Sequence, residues 1–352
     1  MYCAEVFQNL ENVFVAELNK LFGEKVSVKE VKNGIVYFET NVPFEDLFLI
    51  TTATTISIVF SYEKDVNTAV NKTKLLGITR FVIKENTEMY GFKVFETLRL
   101  ISNAGYEKQF LDIKNFLAIK NGLIVTSQAG DLFIRKPNDK EEIWIRISPR
   151  PLSTRFWREA DFKAALNASI AAAMVQLSEP AKGDNVLNVC AGSGTLLIER
   201  CLANPEPEIA LGIELVNKHI EYAELNIKEA ELSENFKVIQ GDCTRMEHIV
   251  KEKFGEDFKF NCVVGDLPFG LAVGNKDENR FLYKKILLEL RKICTLDARI
   301  LLITQDVKSI EWALKETGDI YEVKKQIQTK LSTNRDGLYL YPIIYDLRFK
   351  KI

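Results

Sequence analysis

The chain has 352 residues, of which 47% are hydrophobic and 27% are charged, and this is enough material for two or more domains with sizeable cores. Its formal net charge of −2 excludes a strongly basic protein, so any nucleic-acid binding has to depend on a local positive patch. No apolar run approaches the roughly 18 residues of a membrane span, and residues 1–20 lack the basic segment that begins a signal peptide. We therefore expect a cytoplasmic protein.

The six cysteines include no Cys-x-x-Cys pair, and the two histidines, His219 and His248, each stand alone within a helical pattern. Cysteines spaced in this way are typical of reduced core residues rather than of a disulfide or zinc framework. We predict no metal site, and we expect the histidines to have surface or packing roles.

Residues 1–145 are predicted to form a separate α+β domain. Apolar residues recur at helical spacing from Val6 to Leu21, which predicts an amphipathic helix that ends before Gly23. The Asn33-Gly34 turn between two extended runs predicts a β-hairpin. The other predicted elements are strands at 26–31, 35–39, 55–62, 123–127, 132–135 and 143–147, a helix at about 93–104 and a mixed segment at 108–119.

Residues 146–160 form a linker rich in arginine and tryptophan. Positions 143–158 contain no acidic residue, and two prolines there forbid a continuous helix. Arginine beside aromatic side chains suits phosphate contacts and stacking on unpaired bases, but it also suits a segment that crosses a domain boundary. The candidate RNA-binding residues of this segment are Arg146, Arg150, Arg155, Trp157 and Arg158.

The remaining chain has the pattern of a doubly wound sheet. An alanine-rich helix is predicted from Asp161 to Leu177, with Pro180 beyond its end. Short apolar runs then alternate with helical patterns, and each run ends at a polar or glycine residue; they lie at 185–190, 209–214, 236–240 and 260–265. Ligands of such sheets bind at the carboxyl ends of the strands.

The first of these strands leads into a glycine turn, Ala191-Gly-Ser-Gly-Thr195. Glycines let a ligand approach the main chain, and the free N–H groups that open the next helix point toward the same space. A dinucleotide fingerprint would have a third glycine where this chain has Leu197. The turn therefore favours a cofactor without a pyrophosphate, such as S-adenosylmethionine, although an ordinary structural turn would have the same short pattern.

Acidic residues follow the next strands at the spacing of a nucleoside site. Glu214 ends the second strand roughly 20 residues past the glycines, where a carboxylate accepts hydrogen bonds from ribose hydroxyls. Asp242 follows Gly241 after the third strand and is placed to meet an adenine amino group. The fourth strand runs directly into Asp266-Leu-Pro-Phe269.

Four motifs, in this order, resemble those of the THUMP-associated, S-adenosylmethionine-dependent RNA methyltransferases that form N2-methylguanosine in tRNA. They are Ala191–Thr195, Gly212-Ile-Glu214, Gly241-Asp242 and Asp266–Phe269. The resemblance covers roughly residues 150–352. It implies an α/β, Rossmann-like class I methyltransferase with a terminal antiparallel hairpin, preceded by an α+β domain. By position, that first domain resembles the RNA-binding portion of these enzymes, but a dimerisation or scaffold domain remains equally open.

The resemblance also assigns a cofactor site to this chain. The implied cofactor-binding residues are Asn188, Cys190, Ala191, Gly192, Ser193, Gly194, Thr195, Glu214, Gly241, Asp242 and, on the preceding helix, Asn167. Two positions depart from the family pattern: Leu267 replaces the first proline of the last motif, and Asn188 stands where such enzymes often have an acid.

The turn Asp266-Leu267-Pro268-Phe269 is the candidate catalytic motif. An exocyclic guanine amine is a poor nucleophile, so the site has to hold its nitrogen in line with the sulfonium methyl and accept its N–H hydrogens. Asp266 and a backbone carbonyl of the Leu267-Pro268 turn can be the acceptors. Pro268 stiffens the turn, and Phe269 can stack on the extruded base. A strand-ending turn with Phe269 merely buried is the alternative.

Beyond this motif, residues 271–280 are predicted to form a polar loop over the substrate base, with Arg280 as a candidate phosphate contact. Helices are then predicted at 281–293 and 308–315, a strand at 299–304, and extended runs at 320–329 and 338–349. A terminal antiparallel hairpin argues against an ordinary dehydrogenase, whose sheet normally continues in parallel.

The motifs leave other functions open. The same motif family includes enzymes that methylate adenine N6 or a glutamine amide in protein, and a non-catalytic RNA-binding or scaffold protein could retain the fold. A nicotinamide dehydrogenase is a more distant alternative because of Leu197. The predicted division is an N-terminal domain at 1–145, the linker at 146–160 and the methyltransferase domain at 161–352.

Overall fold

The structure is a computed structural model, and it describes residues 1–62, 65–90, 97–101, 107–122, 124–125, 132–135, 141–162, 164–269, 276–332 and 338–350. The chain divides into two compact units. One consists of Met1–Val6 with Phe14–Thr154, and the other of Phe7–Val13 with Arg155–Ile352. No helix in the described ranges is long and apolar enough to cross a membrane.

The N-terminal part of the chain is organised around one sheet. Its strands are β1 (Tyr2–Val6), β2 (Val26–Lys32), β3 (Ile35–Thr40), β4 (Ala53–Ser61), β5 (Thr97–Ile101), β6 (Ile124–Val125), β7 (Leu132–Arg135) and β8 (Glu142–Arg146), and its helices are α1 (Glu11–Phe22), α2 (Ala69–Tyr90) and α3 (Glu107–Asn121). The strand order is β2-β3-β1-β4-β8-β7-β5-β6. Buried apolar side chains of β4, β7 and β8 pack with those of α2 and α3, which gives this unit a core of its own.

The structure confirms the predicted hairpin and corrects two of the predicted helices. Strands β2 and β3 pair around Asn33 and Gly34, both with positive φ, as a tight hairpin turn requires. The helix predicted from Val6 is wrong in its first turn, because Tyr2–Val6 pairs with β3 and β4 and the left-handed Asn9 precedes α1. The helix predicted at about 93–104 is also wrong: residues 97–101 form β5, which pairs with β6 and β7.

The C-terminal part of the chain contains the second sheet. The strands of this part of the chain are β9 (Asn185–Val189), β10 (Ile209–Glu214), β11 (Phe236–Gln240), β12 (Phe260–Asp266), β13 (Cys294–Thr304), β14 (Tyr321–Gln328), β15 (Leu331–Ser332), β16 (Tyr339–Leu340) and β17 (Ile343–Phe349). Strands β15 and β16 pair only with each other in the described residues. The helices of this part are α4 (Ala168–Leu177), α5 (Thr195–Leu202), α6 (Asn217–Glu229), α7 (Met246–Phe254), α8 (Lys276–Ile293) and α9 (Val307–Glu316).

Seven of these strands form one sheet in the order β11-β10-β9-β12-β13-β17-β14. The first five are parallel, whereas β17 is antiparallel to both β13 and β14. Alternate residues of β9 point to opposite faces: Val186 packs with α4 and α5, and Leu187 with α7 and α8. The predicted Rossmann-like fold with a terminal antiparallel hairpin is therefore confirmed.

Three predicted boundaries in this unit differ from the structure by five residues or more. Helix α4 begins at Ala168 rather than at Asp161, because Asn167 caps it by accepting a hydrogen bond from the Ser169 amide at 2.9 Å. Helix α8 begins at Lys276, so Arg280 lies on a helix; residues 271–275 of the predicted loop lie outside the described ranges. Strand β13 begins at Cys294, before the predicted position 299.

A buried ionic cluster holds the amino end of β9. The carboxylate of Asp184, fully buried, pairs with the equally buried Arg200 at 2.6 Å and also with Arg299. Arg200 donates a further hydrogen bond to the Pro205 carbonyl, and Arg299 donates one to the Ser178 carbonyl. The cluster therefore joins α5 and β13 to the strand that precedes the glycine turn.

Candidate cofactor and catalytic site

The glycine turn has a backbone shape that depends on its glycines. It follows β9, and Gly192 and Gly194 have φ of 55° and 82°, in the left-handed region that other residues rarely adopt. A Cβ at Gly194 would lie 3.3 Å from Ala223, and one at Gly192 would lie 3.3 Å from the Phe162 ring. Gly194 is also the residue that caps α5, so the turn presents the free amides of this helix.

Glu214 joins the end of β10 to this turn. Its carboxylate accepts a hydrogen bond from the Gly192 amide at 2.8 Å and another from the Val216 amide at 2.9 Å. The side chain is mostly buried, and each oxygen retains a further lone pair, which can accept a hydroxyl hydrogen. The structure thus brings the predicted ribose-binding carboxylate against the predicted cofactor turn.

Gly241 and Asp242 lie beside Glu214 at the end of β11. The Gly241 amide donates to the Glu214 carbonyl at 2.9 Å, which brings the two strand ends together. Oδ1 of Asp242 accepts a hydrogen bond from the Thr244 amide at 2.8 Å, and the residue is partly exposed. One carboxylate oxygen is therefore used to fix the turn, and the predicted adenine contact needs the other.

Two aromatic side chains that sequence reasoning did not assign to the site lie beside it: His219 next to the Glu214 carboxylate and Phe162 next to Gly192. The rings of Phe162 and His219 are stacked, with centroids 4.1 Å apart and an interplanar angle of 13°. Nδ1 of His219 lies 3.5 Å from the Glu214 carboxylate. The position of His219, five residues after Glu214 at the start of a helix, is the signal that could have indicated this contact.

Three buried polar atoms near these strand ends have no hydrogen-bond partner among the described residues: Oδ1 of Asn188, Oγ of Ser193 and Oδ1 of Asp266. Unsatisfied polar atoms are costly when buried, and a polar ligand is one way to satisfy them. The donors and acceptors present fit a nucleoside cofactor with an amino-acid portion. Asn188 itself is fully buried and donates to the Val264 carbonyl at 3.2 Å, so its own cofactor contact remains a prediction.

The other predicted cofactor residues already have structural roles. Oδ1 of Asn167 caps α4, and Oγ1 of Thr195 accepts a hydrogen bond from Arg158 at 2.9 Å. Sγ of Cys190 lies 4.0 Å from Sγ of Cys243. This thiol contact, followed by burial and the charges of Glu214 and Asp266, raises the pKa of Cys190 well above its ordinary value. Cys190 is therefore close to both carboxylates, between the cofactor turn and the candidate catalytic motif.

The candidate catalytic motif begins at the last residue of β12. Asp266 is partly exposed, but its Oδ1 is buried, and burial raises the pKa of this carboxyl to about 7. Leu267 is buried in the core and donates its amide to the Ile303 carbonyl at 2.9 Å. This packing explains how leucine can replace the first proline of the motif. Pro268 and Phe269 are partly exposed.

The structure corrects the predicted RNA patch in the linker. The Trp157 side chain is fully buried, so its predicted stacking on RNA is wrong. Arg155 forms a buried ion pair with Glu199 at 2.7 Å, and Arg158 donates to Thr195 and to the Leu166 carbonyl. Arg146 is buried as well and donates to the Ser148 carbonyl at 2.8 Å.

These three arginines are held by protein acceptors and do not form an open patch. The sequence could not reveal this, because Glu199 lies 44 residues from Arg155. Arg150 and Arg280 are exposed. Arg280 lies over the rings of Phe281 and Trp312, at 4.8 and 5.6 Å from their centroids.

Comparisons with known proteins identify the family of this chain. Residues 155–335 match the model of the family described as UPF0020, RMKL-like, methyltransferase domain. The chain is 26% identical over 254 residues to the tRNA (guanine(6)-N2)-methyltransferase of Methanocaldococcus jannaschii, a match that covers 61% of this chain and 64% of that relative. The chain thus spans slightly less than two thirds of this curated relative.

Solved structures show the same fold. TrmN from Thermus thermophilus has a TM-score of 0.73 at 18% identity, and the match covers 99% of both chains. SMU.472, crystallised in complex with SAH, has a TM-score of 0.63 at 16% identity, with 100% of this chain and 98% of that chain covered. Because the family model matches just over half of the chain, the protein belongs to the family of RMKL-like methyltransferase domains.

Proposed function

We propose that this protein is an S-adenosylmethionine-dependent tRNA methyltransferase that forms N2-methylguanosine. The observation that carries the proposal is Asp266, whose buried and unpartnered Oδ1 ends the strand next to β9 and its glycine turn. Membership in the methyltransferase family and the similarity to the tRNA (guanine(6)-N2)-methyltransferase of Methanocaldococcus jannaschii support the same reaction and substrate.

The strand ends supply a site for the cofactor, and SAH in the similar SMU.472 structure supports this choice. S-adenosylmethionine supplies an electrophilic methyl group on a sulfonium. The turn from Cys190 to Thr195 would hold its amino-acid portion, Glu214 would accept from the ribose hydroxyls, and Asp242 would accept from the adenine amine. Because Glu214 is already bonded to Gly192, ribose recognition and the shape of the turn depend on one carboxylate.

Asp266 would accept one N–H of the guanine amine and so orient its lone pair toward the methyl group. A second acceptor is the Leu267 carbonyl, since the Pro268 carbonyl already accepts hydrogen bonds from Asn279 and Tyr283. Phe269 would stack on the extruded base. A carboxylate with a pKa of about 7 can also take up the proton that the amine loses.

RNA binding requires a surface outside this pocket. We propose that the α+β part at 1–145 serves as the RNA-binding, THUMP-like domain, and that residues 146–160 link it to the methyltransferase domain at 161–352. The exposed Arg150 and Arg280 are the remaining candidates for phosphate contacts. Because tRNA is the proposed substrate, we propose the cytoplasm as the site of action.

The proposal is tested by incubating the protein with methyl-labelled S-adenosylmethionine and unmodified tRNA, and then digesting the RNA to nucleosides. Label in N2-methylguanosine is the expected result, and it should disappear with Asp266→Ala. Label in N6-methyladenosine, or in added protein instead of RNA, would replace the proposed substrate. Tight cofactor binding without any transfer to tRNA, DNA or protein would indicate a fold retained for binding alone.

The titration of Asp266 makes the reaction pH-dependent. We expect kcat/KM, measured at low cofactor concentration, to fall as the pH decreases through about 7, because protonation removes the negative acceptor. The sulfonium charge favours the ionised form, so the kcat profile should be displaced to lower pH than the kcat/KM profile.

Asp266→Asn is the matched control, because asparagine retains an acceptor oxygen and does not titrate. Its kcat/KM should lose the acidic limb of the profile. The stability of the folded protein gives an independent measurement. Because the pKa of Asp266 is higher in the folded state than in the unfolded chain, its protonated form stabilises the fold at acid pH, and this stabilisation is lost as the pH rises through about 7. Asp266→Asn should therefore unfold at a higher temperature than the wild type above pH 7. Identical profiles for the two proteins would contradict this role.

A further inference from the structure

A closed ring of hydrogen bonds includes the carbonyl of Pro268, which lies two residues after Asp266 in the candidate catalytic turn. Nδ2 of Asn279 donates to this carbonyl at 3.1 Å, and the Tyr283 hydroxyl donates to it as well. The second Nδ2 hydrogen of Asn279 goes to Oδ2 of Asp306 at 3.0 Å. On the other side, the Tyr283 hydroxyl lies 2.8 Å from Oγ1 of Thr304, which in turn accepts the Asp306 amide at 3.0 Å.

The direction of each hydrogen bond in the ring follows from its chemistry. A carbonyl cannot donate, so the Tyr283 hydroxyl hydrogen points to Pro268, and Thr304 donates to the tyrosine oxygen. Burial raises the pKa of the Tyr283 phenol, which keeps it a donor at neutral pH. Both lone pairs of the Pro268 carbonyl are thereby used. Asn279, Tyr283 and Thr304 are almost completely buried, so water does not compete for these bonds.

The ring connects three elements to the turn: the first two turns of α8, the end of β13 and the start of α9. Oδ1 of Asp306 accepts the Ser309 amide and caps α9, which anchors the ring to a regular helix. Proline fixes only φ of its own residue, and a carbonyl held from two sides also fixes the peptide plane that follows. That plane leads to Phe269.

We propose that Asn279 and Tyr283 are positioning residues for methyl transfer, which hold the Pro268 carbonyl so that the Leu267 carbonyl and Phe269 face the target base. This inference rests on the proposed function. Neither residue touches the reacting atoms in this scheme. Their effect is to keep the acceptor and the stacking ring in the geometry of the transition state, where small displacements are costly.

Tyr283→Phe tests the proposal, because it removes the hydroxyl donor and keeps the ring that fills the core. We expect kcat with saturating cofactor and tRNA to fall about 10-fold, the factor that corresponds to the net free energy of one lost hydrogen bond. The dissociation constants of S-adenosylmethionine and of tRNA, measured without turnover, should stay within about twofold, since neither ligand is bound by the tyrosine.

Tyr345→Phe is the matched control. Tyr345, on β17, is a fully buried tyrosine in the same hydrophobic core as Tyr283, and its hydroxyl has no hydrogen-bond partner among the described residues. It should keep its kcat and both dissociation constants. Asn279→Leu removes the second donor at similar volume. The double variant Asn279→Leu/Tyr283→Phe should be about as active as the less active of the two single variants, since both residues act on one carbonyl.

The outcomes separate the two proposals. An active wild type with an unchanged kcat for Tyr283→Phe, or with equal losses in Tyr283→Phe and Tyr345→Phe, would overturn the positioning role alone. Losses that multiply in the double variant would also overturn it, because they would indicate two independent effects. A wild type that transfers no methyl group to tRNA would overturn the proposed function and the inference that rests on it.

Discussion

Asp266→Ala is expected to lower kcat by about 10²–10³-fold, the range found when a group that stabilises a transition state is removed from a buried site. The carboxylate is the proposed acceptor for the amine, it ends β12, and its Oδ1 has no partner among the described residues. Its removal should therefore affect the orientation of the amine and the transfer of its proton. The Kd of S-adenosylmethionine should change by less than about threefold, because glycine-turn amides, Glu214 and Asp242 remain.

Asp242→Ala is the control for this prediction. It should weaken cofactor binding and leave kcat at saturating cofactor nearly unchanged, because its proposed contact is to the adenine, away from the methyl group. Single-turnover rates and calorimetric titrations of the cofactor give the two quantities for each variant. If Asp266→Ala lost affinity and turnover in the same proportion, the carboxylate would be a cofactor ligand rather than the acceptor for the amine.

Asp184→Ala is expected to destabilise the protein by about 3–5 kcal/mol, because it leaves the fully buried Arg200 guanidinium without its counter-ion. Arg299 loses the same partner. The free energy of unfolding from a denaturant titration measures the effect. The cofactor turn lies at the other end of β9, so the residual folded protein should still bind cofactor.

Asp319→Ala is the comparison variant, since it removes an ion pair with Lys350 in which the aspartate side chain is 96% exposed. Exposed pairs are screened by solvent, and no measurable change in the unfolding midpoint is expected. An equally small effect for Asp184→Ala would mean that Arg200 finds other acceptors and that the cluster is not needed for folding. The Pro205 carbonyl, which Arg200 already contacts, is the first candidate for that role.

Local patterns predicted the parts of the site that depend on local geometry. Glycines at 192 and 194, the acids that end the strands and the alternation of apolar runs each reflect backbone constraints that neighbouring residues impose. The Rossmann-like fold of the second sheet, with its terminal antiparallel hairpin, followed from the motifs and their family resemblance. The secondary structure of the first unit was harder to predict. The strand at 97–101 pairs with segments about 30 residues away, and such pairing overrides local propensity.

Side-chain partners that are distant in sequence were not predictable. Arg155 and Trp157 looked like an exposed RNA-binding pair, but Glu199 and the core around Ile198 hold them inside the unit. The ring around Pro268 was missed for the same reason: Asn279 and Asp306 lie 27 residues apart in polar and helical patterns that resemble many others. Only the fold shows that Asn279 donates one hydrogen to the Pro268 carbonyl and the other to Asp306.

The strand order has a consequence for the folding of the chain. Strand β14 precedes β17 in sequence, yet β17 lies between it and β13, and in the described sheet β14 pairs only with β17. Until residues 343–349 dock, β14 therefore has no partner in this sheet and β13 presents an open edge. A folding intermediate that lacks β17 thus exposes two unpaired strand edges, which can pair with other chains and aggregate.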